Sequence, residues 1–359
     1  MDGAPAGTIA EEGITPDELR LAARNHGLPL EALRYPITPA GLHYLLIHYD
    51  IPAVEPEAFR LELAGAVEHP LSLSLDDLRA RERVSLPVTF ECAGNGRALL
   101  APRPVSQPWL TEAVGTAEWA GTPLRPLLDE AGVRPTAVEA LFTGLDRGVE
   151  GGVPQAYERA LALADTEHAL LAYEMNGAPL PPQHGHPLRL VVPGWYGMTN
   201  VKWLTRVSLL EEPFQGYQQA VGYRIYDADG VPGEPVSRML PRSLMVPPGV
   251  PDFMTRARVL EPGPVALEGR AWSGHGQIDR VEVSTDGGAS FAPALLEEPL
   301  GEAAWRGWRF EWDAPPGEHV LCSRAADVAG NSQPLEPAWN LKGYANNAVE
   351  RIPVTVAAG

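Results

Sequence analysis

Cysteine is scarce in this chain: Cys92 and Cys322 are the only two in 359 residues. Two thiols are too few for a disulfide framework at this length. Lysine is equally rare, with Lys202 and Lys342 the only examples among 28 basic residues. In a chain that otherwise uses arginine so consistently, two readings of the lysines stay open: positions where a guanidinium does not fit, or chance. Positive charge is short overall, and the formal net charge is −18. That balance argues against nucleic acid or an anionic membrane as partner. No stretch approaches the ~18 consecutive apolar residues that span a bilayer. The first residues, "MDGAPAGTIAEEG", lack a basic segment, an apolar segment and twin arginines. The expected location is therefore cytoplasmic, or periplasmic if a leader has been removed.

Turn-forming residues, by contrast, are plentiful, with 36 Gly and 37 Pro. They predict short strands, turns and loops rather than a helical bundle. Residues 1–15 are small and polar and are expected to be loose. "TPDELRLAARN" (15–25) predicts a helix capped by Thr15 with Pro16 at its first position. "FRLELAGAV" alternates as a strand, and "LSLSLDDLRA" runs from strand into helix. "VSLPVTFECAGNGR" (84–97) reads as a buried strand breaking into a glycine-rich turn. "PLRPLLDEAG" predicts a helix closed by Gly132, and "NVKWLTRVSLLEE" (200–212) a strand carrying Lys202. Helices and strands mix without a β-α-β rhythm, so the first part reads as α+β. The proline-rich "PRSLMVPPGVPDF" (241–253) marks a domain boundary. Beyond it, short alternating strands separated by DGG, PPG and AGN turns predict an immunoglobulin-like β-sandwich. Cys322 falls in one of these strands, as a small buried hydrophobe.

The chemistry concentrates in "FECAGNGR" (90–97). The turn is neither a Walker loop nor the spaced three-glycine dinucleotide pattern. With no second cysteine nearby it is not a zinc knuckle. Three readings of Cys92 stay open from the residues alone. It can be a structural thiol, a nucleophile served by a histidine, or a thiolate ligand to a metal whose other ligands come from a cofactor. Arg97 can hold an anion and supply the positive potential that favours thiolate. "LPPQHGHPLR" places His184 and His186 two apart, so in an extended segment only one faces a given ligand. "VPGWYGMTNVKWL" offers Lys202 as a point charge for a phosphate.

Taken in order, "HYDIP", "FECAGNGR", "AYEMNG", "HGHPLRLVVPG", "NVKWL", "AWSG…VEVSTDGG" and "WNLKGY" resemble the sulfite oxidase family of molybdenum-pterin enzymes. The resemblance runs from about residue 35 to the end. It implies an N-terminal extension (1–34), a mixed α/β molybdopterin-binding domain (35–245) and an immunoglobulin-like dimerisation sandwich (246–359). It further implies one molybdenum-molybdopterin per chain, with Cys92 as the metal's protein ligand. Arg97 and Lys342 would neutralise the substrate oxyanion, with Tyr223 and Trp109 lining its pocket. His48, His184, Arg189, Lys202 and Asn95 would hold the pterin and its phosphate. The glycines beside Cys92 would let the backbone approach a bulky cofactor. The implied reaction is oxidation of sulfite to sulfate by oxygen-atom transfer, in a homodimer. No CxxCH motif and no appended haem domain occur, so electrons would pass to a separate acceptor, a cytochrome or another protein. Three positions depart from the family pattern. Leu46 stands where an arginine is common, Lys342 replaces an arginine, and Gly222 replaces an acid before Tyr223. A sulfoxide, nitrate or an organic sulfur compound is the alternative substrate.

Overall fold

A computed structural model describes residues 13–358; most of the segment expected to be loose, 1–12, lies outside the described residues. Helix Pro16–Arg24 starts where the capping signal places it. The Thr15 side chain accepts from the Glu18 amide while the Glu18 carboxylate accepts from the Thr15 amide. Residues 13–34 are not a mere extension, which corrects the sequence expectation. Leu28 and Leu33 are buried in one cluster with Trp272 and Trp305 of the C-terminal half. The Glu18 carboxylate also pairs with Arg103. Apolar burial, rather than linker composition, decides the role of this segment.

The first half is built on two five-stranded sheets, as an α+β reading requires. In one, strands run in the order Leu71–Leu73, Leu61–Gly65, Leu204–Leu210, Glu139–Glu150 and Val153–Ala162. Leu61–Gly65 lies parallel to Leu204–Leu210 and the other pairings are antiparallel. In the other, Val84–Glu91 pairs with Val114–Pro123, which pairs with Leu170–Met175. Leu170–Met175 in turn carries both Ala178–Pro179 and Arg189–Val191. Helices Leu75–Arg79 and Leu124–Ala131 bury Leu78, Leu124 and Leu127 against the first sheet. Gly132, left-handed at φ 65°, closes the second helix as expected.

The C-terminal half is a sandwich of a four-stranded and a six-stranded sheet around Leu267, Trp308, Leu321 and Val354. Cys322 is a buried, free thiol on strand Gly317–Asp327. Strand Arg242–Met245 pairs antiparallel with Gly263–Trp272. The sandwich therefore begins by residue 242, ahead of the expected 246, because the proline cluster lies within the first strand connection rather than before it. From the sandwich, the segment 340–350 returns across the first half and lies on the Cys92 turn. There the Ala345 amide donates to the Ala93 carbonyl at 2.8 Å.

Candidate active site

Strand Val84–Glu91 ends at Cys92, whose amide donates to the Ala113 carbonyl at 2.9 Å. The turn that follows is fixed from within. The Asn95 amide donates to the Cys92 carbonyl, and its side chain donates to Glu91 Oε1 and to the Thr111 carbonyl while accepting from the Ala113 amide. Asn95 is thus fully occupied as a brace for the turn and is not free to hold a cofactor, contrary to the sequence expectation. The glycines also serve the protein's own packing. A Cβ on Gly94 would lie 2.6 Å from both terminal nitrogens of Arg97, and Gly96 is left-handed at φ 88°. They admit the Arg97 guanidinium and a sharp turn rather than a bulky ligand.

Cys92, 7% exposed, sits in the wall of a cleft between the two sheets. The cleft has an empty volume of about 610 Å³, open mouth included. Of the expected site residues, His48, Cys92, His184, Arg189, Lys202 and Tyr223 converge on it. Lys202 does not stand on a strand: it precedes Leu204–Leu210, next to Trp203 in a left-handed conformation (φ 49°). That geometry lets Lys202 Nζ turn inward and donate to the Leu46 carbonyl at 2.8 Å and the Gln183 carbonyl at 3.3 Å. The His184–His186 segment is likewise not extended. His184 ends a 3-10 turn, Pro182–His184, and is buried, while His186 is part-exposed. Arg189 is held by the carbonyls of His184 (3.0 Å) and Asn200 (3.1 Å), its guanidinium within 4.9 Å of the Phe90 ring centre and 4.6 Å of the Trp119 ring centre.

The electrostatics of the cleft are set by burial against a cluster of cations. Burial pushes Lys202 down to about 7, with the Arg189 charge adding to the fall and Asp146 opposing it. His48 falls to about 3 by burial and then Lys202, and His43 to about 4 by burial with Arg189 in the same direction. His184 is lowered too, first by burial and then by His43 and Arg189. The imidazoles are therefore neutral, and His48 Nε2 meets the Tyr223 hydroxyl at 2.5 Å. Burial raises the Cys92 thiol above its ordinary value, and the opposing pull of Arg97 only partly offsets it. Among the described residues no imidazole is hydrogen-bonded to Cys92, so the nucleophile reading lacks its base. A metal would deprotonate the thiol outright.

Three expected pocket residues lie outside the cleft walls. Arg97 Nε donates to the Lys342 carbonyl at 2.7 Å and Nη1 to the Gln107 carbonyl at 3.1 Å. Its charge is the first of those that favour a Cys92 thiolate. Trp109 is buried beside Cys92 in the same cluster, and its indole N–H, directed at the thiol, adds to the influences that favour thiolate. Lys342 does not face an oxyanion pocket. Its Nζ donates to the Val221 carbonyl at 2.5 Å and the Gly222 carbonyl at 3.0 Å, 4.3 Å from the Tyr226 ring centre. The two adjacent carbonyls compete for its donors.

Sequence reasoning missed His43 and Asp146, which also line the cleft. Asp146 is brought in by an irregularity in the pairing of Glu139–Glu150 with Val153–Ala162, between Thr143 and Arg147. Burial raises it to about 6 against the pull of Lys202. Its Oδ1 and the Nε of Arg189 are buried without partners. An orphaned acceptor and an orphaned donor in a cleft that also holds Lys202 fit an anionic ligand carrying both hydrogen-bond donors and acceptors. The single thiol fits a soft or high-valent metal at one end.

Comparison with known proteins bears on the same residues. Residues 48–218 match the model of an oxidoreductase molybdopterin binding domain, and residues 242–357 that of a Mo-co oxidoreductase dimerisation domain. The chain is 36% identical over 349 residues to mitochondrial sulfite oxidase of Homo sapiens, covering 89% of this chain and 62% of that protein. It is 36% identical over 343 residues to sulfite oxidase of Gallus gallus, covering 88% and 72%. The chain thus spans under two thirds of the length of the human relative. The fold superposes on the sulfane dehydrogenase SoxCD of Paracoccus pantotrophus with a TM-score of 0.81 and 27% identity, covering 98% of this chain and 90% of that one.

Proposed function

The chain belongs to the sulfite oxidase family of molybdopterin oxidoreductases, and from that premise we propose that it oxidises sulfite to sulfate and passes the electrons to a separate acceptor. The observation that carries this reading is the convergence of one thiol, Cys92, with Lys202, Arg189 and three neutral imidazoles on a cleft that leaves buried polar atoms unpartnered. When bound, the molybdenum-molybdopterin group supplies oxygen-atom transfer coupled to a two-electron change. Cys92 Sγ would hold the metal. Lys202 and Arg189 would hold the phosphate of the pterin, with His184 and His48 beside them and Asp146 available to accept from a ring N–H.

The remaining residues set the field and the proton inventory. Arg97 carries the positive charge closest to the thiol in effect and draws an anion toward it. Neutral His48 fixes the Tyr223 hydroxyl, which then presents a single orientation to whatever enters. The Trp109 indole N–H supports the thiolate form of Cys92 from beside it. The dimerisation-domain match supports a homodimer.

A second reading, the same group acting on a reduced organic sulfur compound, is favoured by one feature. Leu46 lines the cleft, and Lys342 and Arg97 are both tied to carbonyls outside its walls, so fewer cations face a small oxyanion than the family pattern implies. The fold likeness to a sulfane dehydrogenase points the same way.

Both readings are tested by expression in a host that makes the pterin, elemental analysis, and turnover of sulfite and a panel of sulfur compounds with an artificial acceptor. One molybdenum per chain and sulfite turnover are expected. Cys92→Ser is expected to lose both while keeping its far-UV spectrum. A Cys92→Ser protein with full molybdenum and full turnover would refute the assignment. Turnover of an organic sulfur compound far above that of sulfite would establish the second reading.

A further inference from the structure

Arg159, on strand Val153–Ala162, is 2% exposed and forms no ion pair among the described residues. Burying a guanidinium without a counter-charge is costly, so what it touches is informative. One terminal nitrogen donates to the Gln218 carbonyl, its Nε is buried without a partner, and its charge lies 5.5 Å from the Tyr223 ring centre. Gln218 opens a π-helical turn, Gln218–Gly222, which Tyr223 terminates. The Tyr223 amide donates to the same Gln218 carbonyl at 3.3 Å. At the other end of the turn, Lys342 takes the carbonyls of Val221 and Gly222. The carbonyl groups of a wide, intrinsically poor helical turn are therefore gripped by two cations from different elements. The tyrosine that follows is stacked on Tyr344 at 5.2 Å, and the Arg97 charge lies 5.1 Å from the Tyr344 ring centre.

We propose that Arg159 and Lys342 are positioning residues that clamp the turn Gln218–Gly222 and so fix the Tyr223 hydroxyl on His48 Nε2, at the edge of the cleft. This rests on the functional reading above, since it makes the clamp part of the same site.

The test uses Arg159→Met, Arg159→Lys and the unaltered protein. The first measurement is the side-chain 15N spectrum of histidine-labelled, metal-free protein, with the His48 signal assigned by its absence from His48→Gln. Arg159→Met is expected to shift the His48 signal and leave those of exposed histidines in place; Arg159→Lys is expected to keep it. The second is steady-state turnover of sulfite by the loaded enzyme. Arg159→Met is expected to lower kcat about tenfold with KM changed less than about twofold, and Arg159→Lys to recover most of the rate. An unmoved His48 signal in Arg159→Met overturns the clamp, as does a rise in KM with kcat preserved, which would make Arg159 a substrate contact. Should Arg159→Met not fold, Lys342→Met carries the same expectation for the His48 signal and the same refutation. Absence of sulfite turnover in the unaltered protein would fail the functional reading and leave the spectrum to decide the clamp.

Discussion

Replacing Arg242 by methionine should cost this protein more than removing both partners of its ion pair. Arg242, on the first strand of the sandwich, and Glu91, the residue before Cys92, are 2% and 1% exposed and meet at 2.7 Å. Glu91 Oε1 also accepts from Asn95, and Oε2 from the Trp272 indole at 2.9 Å. Arg242 donates in addition to the Asn346 carbonyl at 2.9 Å. The sandwich thus reaches across the domain boundary to hold the carboxylate beside the thiol.

Arg242→Met leaves that carboxylate buried with two neutral donors and no counter-charge, a loss of about 3–5 kcal/mol. Glu91→Gln in the same background removes the stranded charge while keeping an acceptor for Asn95 or Trp272. The double variant should therefore be more stable than Arg242→Met alone, with a coupling of about 1–3 kcal/mol. Equilibrium urea unfolding of the metal-free protein, followed by far-UV circular dichroism, measures all four corners of the cycle. A double variant no more stable than Arg242→Met would refute the claim that an uncompensated buried charge dominates. Molybdenum content gives the functional arm. If the pair holds the Cys92 turn, Arg242→Met should bind substantially less metal per chain than the double variant.

Three further expectations follow from the same geometry. Leu46→Arg adds a cation to the cleft wall and, at about 1.5–3 kcal/mol for a charge-assisted contact, should lower the KM for sulfite about tenfold or more; an unchanged or higher KM would count against the pocket assignment. Gly94→Ala places a methyl group against the movable end of Arg97. It should leave the protein folded by circular dichroism but raise the KM for sulfite about tenfold or more as the guanidinium is displaced. The depressed imidazoles His43 (about 4) and His48 (about 3) stay neutral in the folded state when the unfolded chain has already taken up its protons. Their contribution to stability is present above pH 6.5 and is lost as pH falls through those values. The raised carboxyl of Asp146, at about 6, titrates in the opposite sense between 3.8 and 6. Urea unfolding of the metal-free protein between pH 4 and 7 should show the fall, and His43→Phe should flatten its slope by about one proton; an unaltered slope would mean His43 is already charged in the fold.

Much of the cleft was legible because its residues lie in short, ordered motifs. "FECAGNGR" shows a strand breaking at a thiol, and the capping signals at Thr15 and Gly132 set helix ends through purely local hydrogen bonds. The local reading failed where a neighbour distant in sequence decides the outcome. Asn95 and Gly94 looked like ligand-facing turn residues, yet the first is consumed by Glu91, Thr111 and Ala113 and the second by the Arg97 guanidinium. Lys202 looked like a strand residue because its apolar neighbours alternate, but pairing begins only at Leu204. Asp146 enters the cleft through a pairing irregularity that no periodicity announces. Arg242 meets Glu91 across 151 positions, and Arg159 meets Gln218 across 59.

The chain carries a net charge of −18, yet its cleft gathers Lys202 and Arg189 with a single carboxyl, Asp146, beside them. Such an arrangement opposes the folding preference for paired buried charge. The protein lessens the cost in two ways visible in the geometry. The three imidazoles are held neutral, and Lys202 and Arg189 are satisfied by backbone carbonyls rather than by carboxylates: Leu46 and Gln183 for Lys202, His184 and Asn200 for Arg189. Carbonyl dipoles stabilise a cation without cancelling its charge, so the field at the cleft survives folding. A carboxylate partner at any of these positions would have stabilised the empty cleft and weakened its hold on an anion. The same logic governs Arg159 and Lys342, which also rest on carbonyls. Across the site, basic side chains are anchored by neutral oxygen wherever their charge is needed. Arg242, by contrast, is a buried cation given a full carboxylate, and its task is to join two domains.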